Sequence, residues 1–508
     1  SAESRMTQRF LPVRVPVSLR TLLPSASFVG CADIRVTEAT EQSSQCRPHS
    51  LFAAIPGTHV DGANFVDEAI KRGANSLLVQ RPLPNVQIPQ CVVPHARKAF
   101  AELCSALAGY PSRHLHLAAV TGTNGKTTVS WLIRSILETS GRRTGLLGTI
   151  EYHDGVHSSP SKMTTPDSQT LVHWLSAMVE ADSTHAVLEV SSHALEQERT
   201  AGTEFDVAVV TNITHDHFDY HHDADSYRAA KARLLTHLKA QALVVLNADD
   251  PHSSALVGRV AGDARVVTYG LERPARVWAT ILEESLRGSR FLLRRATDSI
   301  EVSTTLVGRH NVSNCLAAAA ATERFGISLA EVKAGIEGLR VVPGRMERVD
   351  CGQPFDVFVD YAHTEDALRR SISFLKRLSH GRVLCVAGAG GDRDRTKRPL
   401  IGRALTEADL AIVTSDNPRS EDPEQIIREV VTGCSGAAHE PVIEPDRAEA
   451  IRRALGFAEP GDCVLVAGKG HEREQIIGNR RVPFVDRDVV REVLVRRRPA
   501  AGLTAAVG

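Results

Sequence analysis

An α/β fold of several domains is predicted, and three observations predict it. The chain has 508 residues, more than one ordinary hydrophobic core organises, so two to four domains are expected. Buried-type apolar runs such as "LAAV", "HAVLEV", "VAVVTNI" and "ALVVLNADD" alternate with helical segments, which is the pattern of parallel βαβ units. Most of these runs give way to polar or Gly-bearing loops, the place where doubly wound sheets hold ligands.

Bulk properties narrow the class. Acidic and basic residues balance at 60 each, which argues against a nucleic-acid or polybasic membrane partner. No apolar stretch approaches the roughly 20 residues of a membrane span, and "SAESRMTQRF" lacks the apolar core of a secretory signal. Nine cysteines are scattered with no CxxC pair, which fits reduced thiols better than a disulfide frame or a zinc site. The expectation is a soluble, cytoplasmic, monomeric protein.

Three regions differ in pattern. Residues 1–112 mix short apolar runs with Pro and Gly turns and read as a small α/β domain, with a helix at "VDEAIKRGA" ending at Gly73. Residues 113–343 carry the alternating strands and helices. Within them "RVWATILEESLRGSRFLLRRATDSIEVSTTLVG" reads as an antiparallel excursion, followed by a helix at "NVSNCLAAAAATERFG". Residues 344–508 repeat the doubly wound pattern through "FDVFVDYA", "RVLCVAGAGG", "LAIVTSDNP" and "DCVLVAGKG". The tail "RRRPAAGLTAAVG" is expected to fray.

Chemistry enters at "AAVTGTNGKTTVSWLI", residues 118–133. The general phosphate-loop pattern asks for Gly at position 120, where this chain has Val; Gly122 and Gly125 instead frame a shorter G-x-x-G-K-T. The physics survives the shift. The N–H groups of Gly122, Thr123, Asn124 and Gly125 and the opening of a helix at Lys126, Thr127 and Thr128 make a concavity for anions. Lys126 can bridge the β- and γ-phosphates, and the Thr127 hydroxyl can ligate Mg²⁺. The competing reading is an ordinary strand-to-helix turn with an incidental lysine.

Glu189 ends the buried-type strand "VLEVSSH", where a lone carboxylate needs a partner such as a metal. "VVTNITHDHFDYHHD" ends another strand in Asp216, His217, Asp219, His221 and His222. Carboxylate and imidazole beyond parallel strands suit a divalent cation shared with ATP phosphates; for His221 or His222 alone a solvated loop is the better reading. Lys231, in the helical stretch "DSYRAAKARLLTHL", reads as a surface charge.

The ordered set "TGTNGKTT", "EVSSHALEQERT", "TNITHDHFDYH", "YRAAK", "GRHNVSN", "PGRMERV" and "DYAH" resembles the Mur ligases of peptidoglycan synthesis, over about residues 18–490. The resemblance implies a UDP-binding N-terminal domain, a central ATPase and a Rossmann-like C-terminal domain for the incoming amino acid. It implies that Lys231 is carbamylated, its amine capturing CO₂ to become an anionic metal ligand, and that Thr127, Glu189, His217 and Lys231 serve Mg²⁺. Asn311 matches an adenine contact, Arg345 a phosphate contact, and Asp360 with His363 the ribose or phosphate neighbourhood. Thr164, Thr165, Ser191, Gln197 and Arg199 match residues holding UDP-N-acetylmuramoyl-L-alanyl-D-glutamate, and Ser43, Thr58 and His59 fall in the uridine region. Two departures stand out: "QSS" at 42–44 replaces the usual "DSR", and Glu365 replaces the Pro of "DYAHTPDAL", which is expected to alter that loop.

"TSDNPRSEDP", 414–423, resembles the stretch that selects meso-diaminopimelate in this family, with Asp416, Asn417, Pro418 and Arg419. Diaminopimelate differs from lysine by one carboxylate on its far carbon, and an Arg guanidinium can grip that group with two parallel hydrogen bonds. Arg393, Gly468 and Glu472 match further amino-acid contacts. The alternative for Arg419 is a surface ion pair with Glu421 or Asp422. "GAGG" at 388–391 suggests a dinucleotide loop, but the next required Gly falls at Arg393, so NAD binding is rejected. The implied reaction is amide ligation: a peptide carboxylate takes the γ-phosphoryl of ATP, and the diaminopimelate amine displaces phosphate. Lys126, Glu189, His217, Lys231 and His363 are its expected catalytic groups, and domain closure is expected to bring the substrates together. Folylpolyglutamate synthase, another Mur ligase, or a nucleotide-regulated scaffold are the competing readings.

Overall fold

In this computed structural model the described residues are 15–57, 60–213, 232–436 and 439–496. They form an α/β fold of two compact units, Ser1–Trp278 with Leu316–Val332, and Ala279–Cys315 with Lys333–Gly508.

The first unit holds two main sheets and a two-stranded antiparallel pair, Val17–Ser18 with Arg35–Val36. The smaller main sheet has the strand order Ser27–Val29, Gln90–Val92, Ser76–Val79, Leu51–Ala53, Ala39–Thr40, parallel except for the first pair. Leu51–Ala53 and Ser76–Val79 are buried throughout, as parallel strands covered on both faces must be. The expected helix is present as Val66–Lys71, and Gly73 follows at φ +109°.

The larger sheet has a parallel centre ordered Thr144–Leu147, His185–Glu189, His116–Thr121, Phe205–Val210, Leu238–Asn247, Arg265–Gly270. The chain leaves His116–Thr121 toward one side, returns through His185–Glu189, and then proceeds to the other side. This reversal opens a crevice at the carboxyl end of His116–Thr121, between the ends of its two neighbours. The helix Lys126–Thr139 covers the sheet there: Val129, Leu132, Ile133 and Ile136, spaced i, i+3, i+4 and i+7, are all fully buried.

The strand Val277–Ser285 runs from the first unit into the second, where Gly288–Arg295 and Asp298–Thr304 form the expected antiparallel hairpin. The second unit is built on a sheet ordered Glu347–Arg348, Asp356–Asp360, Cys463–Ala467, Val383–Ala387, Leu410–Val413, Val442–Ile443. All of its pairings are parallel except the first. The four strands expected from the sequence are all present, and their loops leave from one edge.

Two of those loops are tied together by a buried ion pair that no local pattern announced. Arg447 and Asp486, both wholly buried, meet in two parallel hydrogen bonds of 2.7 Å. Arg447 also donates to Ala467 O at 2.9 Å and Ser415 O at 3.4 Å, the carboxyl ends of two strands. Four of the five N–H groups of the guanidinium are thereby used, two of them at the point where the loops begin. Arg447→Met strands Asp486 as a buried charge and is expected to cost about 3–5 kcal/mol in urea denaturation. The double variant Arg447→Met/Asp486→Leu is expected to recover more than half of that loss.

Candidate active site

Strand His116–Thr121 delivers the chain into the phosphate loop at the crevice. Gly122 has φ +145°, and a Cβ there would fall 1.9 Å from Thr211 Oγ1, so only glycine fits. Gly125, at φ +85°, precedes the helix that begins at Lys126. The neighbouring strand end braces the loop: Asn212 exchanges hydrogen bonds with Asn124 (2.9 and 3.1 Å), Thr211 Oγ1 donates to Asn124 O at 2.6 Å, and Thr123 N donates to Asn212 O. Lys126 Nζ donates to Gly122 O and Thr123 O, and Thr128 is buried in the first turn. A concave run of main-chain N–H groups at the head of a 14-residue helix is an anion site.

Glu189 faces this loop from the adjacent strand and is fully buried. It accepts hydrogen bonds from Thr127 Oγ1 at 2.9 Å, Thr149 Oγ1 at 2.8 Å and Thr149 N at 3.0 Å. Every one of these donors is neutral. A carboxylate taken out of water without a cation is costly, and carboxylate with hydroxyl beside a phosphate loop is a hard oxygen donor set of the kind Mg²⁺ takes. The residues present therefore fit such an ion. Among the described residues no cluster of three or more His, Cys, Asp or Glu side chains could hold a metal. The other expected ligands, His217 and Lys231, lie outside the described residues, as do Asp216, Asp219, His221, His222, Thr58 and His59.

Thr165 Oγ1 donates to Glu189 O at 2.8 Å and accepts from Ser191 N at 3.0 Å, while Thr164 Oγ1 lies 3.1 Å from Thr149 Oγ1. Ser191 caps the helix Ser192–Glu196. Beside them a cavity of about 120 Å³ is lined by Glu41, Arg97, Phe100, Asp167, Gln197 and Arg199, among others. Arg199 donates to Thr165 O at 2.8 Å and to Gln197 Oε1. Burial pulls the Arg199 guanidinium below its usual range, and burial, reinforced by Asp167, pushes the Glu41 carboxyl up. Glu41, Arg97 and Asp167 come from separate segments and were not legible as a group. Ser43 is not among the lining residues; its hydroxyl donates to Glu68 Oε2 at 2.7 Å, and Glu68 pairs with Arg72.

In the second unit, Asn311 is buried at the start of the helix Arg309–Thr322, bonded to Val307 O and to Asn314. Asp360 accepts from Met346 N, Tyr361 N and Ser371 Oγ. Arg345 lies over the Tyr361 ring at 4.7 Å, and the ring centroid of His363 is 4.6 Å from that of Tyr361. Burial raises the Tyr361 phenol above its ordinary range. Glu365 is the first residue of the helix Glu365–Leu378, whose N-cap Thr364 accepts from Ala367 N. That first position suits Pro, and an acidic residue there is favoured by the helix dipole, so this helix starts normally without the Pro.

The loops 388–394, 414–421 and 468–472 converge beyond the carboxyl ends of their strands. Arg419, at φ +52°, donates from Nη1 to Gly391 O at 2.6 Å. A Cβ on Gly390 would come 2.9 Å from that Nη1 and 3.7 Å from Arg393 Cγ, so both arginines close on the glycines of "GAGG". The partners of the surface-pair alternative for Arg419 are engaged elsewhere: Glu421 by the buried Arg398 at 2.7 and 3.0 Å, which also binds Glu429, and Asp422 by Arg428 at 3.5 Å. Pro418 is buried, and Asn417 Nδ2 donates to Glu472 Oε2 at 2.8 Å. Asp416 lies against Gly468, where a Cβ would meet Asp416 Oδ2 at 2.7 Å. All seven residues expected at the amino-acid site thus belong to one loop cluster.

Comparison with known proteins agrees with this layout. Family models match at residues 36–107 (Mur ligase family, catalytic domain), 120–322 (Mur ligase middle domain) and 344–470 (Mur ligase, glutamate ligase domain). The chain is 44% identical over 463 residues to UDP-N-acetylmuramoyl-L-alanyl-D-glutamate--2,6-diaminopimelate ligase of Geobacillus thermodenitrificans (strain NG80-2), covering 90% of this chain and 94% of the relative. A solved structure of a ligase of that same description superposes with TM-score 0.67 at 32% identity, covering 95% of this chain and 99% of that one. The folylpolyglutamate synthase of Mycobacterium tuberculosis, at 20% identity and TM-score 0.60, covers 73% of this chain and 92% of its own, and shares the fold alone.

Gly122→Ala is expected to weaken ATP binding by roughly a hundredfold or more in isothermal titration, because its Cβ has no room beside Thr211. Gly258→Ala, whose Cβ would meet nothing within 4 Å at an ordinary backbone conformation, is expected to leave nucleotide affinity unchanged.

Proposed function

The chain belongs to the Mur ligase family, and from that premise we propose that it joins meso-diaminopimelate to UDP-N-acetylmuramoyl-L-alanyl-D-glutamate at the expense of ATP. The three regions 1–112, 113–343 and 344–508 are assigned to the UDP end of the peptide, to ATP and to the amino acid. The observation that carries the choice of amino acid is the meeting of Arg419 with Asn417, Asp416 and Glu472 in one loop cluster. It offers a guanidinium for a carboxylate beside carboxylates for an ammonium, as the far end of diaminopimelate requires.

The chemistry follows in two steps. The D-glutamate γ-carboxylate attacks the γ-phosphorus of ATP, the bond to the β–γ bridging oxygen breaks, and ADP leaves an acyl phosphate behind. The uncharged amine of diaminopimelate then attacks the acyl carbon, and the carbon–oxygen bond to phosphate breaks with loss of the amine proton. Phosphoryl transfer depends on alignment and charge neutralisation more than on covalent help from the protein. The N–H groups of residues 125–128 cradle the phosphates, those of Thr123 and Asn124 being held by Asn212, and Lys126 spans the β- and γ-phosphoryl oxygens. Thr127 and Glu189, with His217 and a carbamylated Lys231, are the assigned Mg²⁺ ligands. Magnesium, when bound, neutralises phosphate charge as it develops. Arg199, Gln197, Thr164, Thr165 and Ser191 hold the muramoyl dipeptide. Asn311, Arg345, Asp360 and His363 serve the nucleotide. Among the described residues no helix is long and apolar enough to cross a membrane, and all nine cysteines are free thiols; we assign the reaction to the cytoplasm and to the monomer.

The test is a coupled assay of phosphate release. ADP and phosphate are expected only when ATP, the UDP-muramoyl dipeptide and diaminopimelate are all present; product with lysine alone, AMP with pyrophosphate, or hydrolysis indifferent to the peptide overturns the reading. Arg419→Ala is expected to raise KM for diaminopimelate by roughly a hundredfold while KM for ATP holds.

A further inference from the structure

Lys469 has no exposed surface. Its ammonium makes three hydrogen bonds, to Asn417 Oδ1 at 2.9 Å, Glu472 Oε2 at 2.8 Å and Glu474 O at 2.8 Å, which satisfies all three of its protons. Asn417 closes the triangle: its Nδ2 donates to the same Glu472 Oε2 at 2.8 Å, and its Oδ1 accepts from Ile476 N. Glu472 Oε2 is therefore held from two sides. Its Oε1 has no hydrogen bond among the described residues, and the side chain is 31% exposed.

The same contacts fasten Arg419. The hairpin Glu474–Ile477 with Arg480–Pro483 accepts Lys469 at Glu474 O and bonds Asp416 O through Gln475 Nε2 at 2.7 Å. It grips the main chain of Arg419 on both sides, with Arg419 N on Ile476 O at 3.0 Å and Gly478 N on Arg419 O at 2.6 Å. This holds a non-glycine residue in the left-handed region. For buried ion pairs desolvation offsets most of the Coulomb gain, so stability alone does not account for a buried lysine at this point. Its position does.

We infer that Lys469 is a positioning and selectivity residue: a fixed internal cation that aims Glu472 Oε1 at the ammonium of the incoming amino acid's far end and favours the extra carboxylate gripped by Arg419. The inference rests on the amino-acid reading above. Its electrostatic content is directional. The far end of diaminopimelate carries ammonium and carboxylate together, whereas that of lysine carries ammonium alone. Removing one positive charge from a cluster that also holds Asp416 and Glu472 penalises the carboxylate-bearing ligand and favours the lone ammonium.

The experiment compares wild type, Lys469→Met and Lys469→Arg in steady state with diaminopimelate and with lysine. Lys469→Met is expected to raise KM for diaminopimelate about tenfold or more while KM for ATP stays within about twofold. The ratio of kcat/KM for diaminopimelate to that for lysine is expected to fall at least about tenfold, and Lys469→Arg to restore it in large part. An unchanged ratio, or equal weakening toward all substrates, overturns the inference and leaves Lys469 a packing residue. If Lys469→Met does not fold, as judged by circular dichroism, Lys469→Gln, which removes the charge and keeps a hydrogen-bond donor, is put through the same comparison. A fall in the diaminopimelate-to-lysine ratio supports the inference, and an unchanged ratio overturns it. A wild-type enzyme that uses neither amino acid overturns the functional reading itself, a result distinguishable from any behaviour of the variants.

Discussion

Parallel strands deliver their carboxyl ends to one edge of a sheet, and the phosphate-loop and amino-acid groups here depend on that constraint. In the first unit the edge presents the phosphate loop after Thr121, Glu189 at the end of its neighbour, and Thr211 with Asn212 at the end of the other. In the second unit it presents Asp360, the glycines 388–391, the Asp416–Arg419 stretch and the Gly468–Glu472 stretch. The apolar register that buries Val120 or Val466 is thus the same register that aims the polar residues just beyond them.

Buried charge sets the shape of these edges. Glu189 is engaged by neutral donors on three sides and draws Thr127 and Thr149 to the phosphate loop. Arg447 with Asp486 locks two strand ends, Arg398 ties the Gly390 loop to Glu421, and Lys469 ties Asn417 to Glu472. Each is costly to desolvate, and each is held by several hydrogen bonds, although Arg398 Nε is buried without a partner. Such groups contribute little net stability, but they fix which loop conformation accompanies the folded sheet. A loop cluster that grips a small zwitterion has more need of that than of extra stability.

Legibility followed the range of the forces involved. The strands, the phosphate loop and the antiparallel excursion were readable because each is written in a contiguous run, whether apolar alternation, glycine placement or turn spacing. Arg419 was readable as a candidate, but its competing surface pair could not be dismissed until Arg398, more than twenty residues earlier, was seen to occupy Glu421. Glu365 looked like a disturbance and proved an ordinary helix start. Ser43 was a candidate contact whose hydroxyl the fold gives to Glu68. Glu41, Arg97 and Asp167 went unnoticed because nothing local distinguishes them from solvated charges.

By itself the amino-acid sequence determined the α/β class, the order of strands and helices, the phosphate loop, and the residue types offered at each strand end, since these follow from local periodicity and backbone chemistry. Only the tertiary structure decided which charges are buried and with whom: Lys469 between Asn417 and Glu472, Arg447 on Asp486, Glu189 among three neutral donors. Desolvation and hydrogen-bond partnership are properties of a packed neighbourhood, and a neighbourhood assembled from segments tens of residues apart has no signature in any one of them.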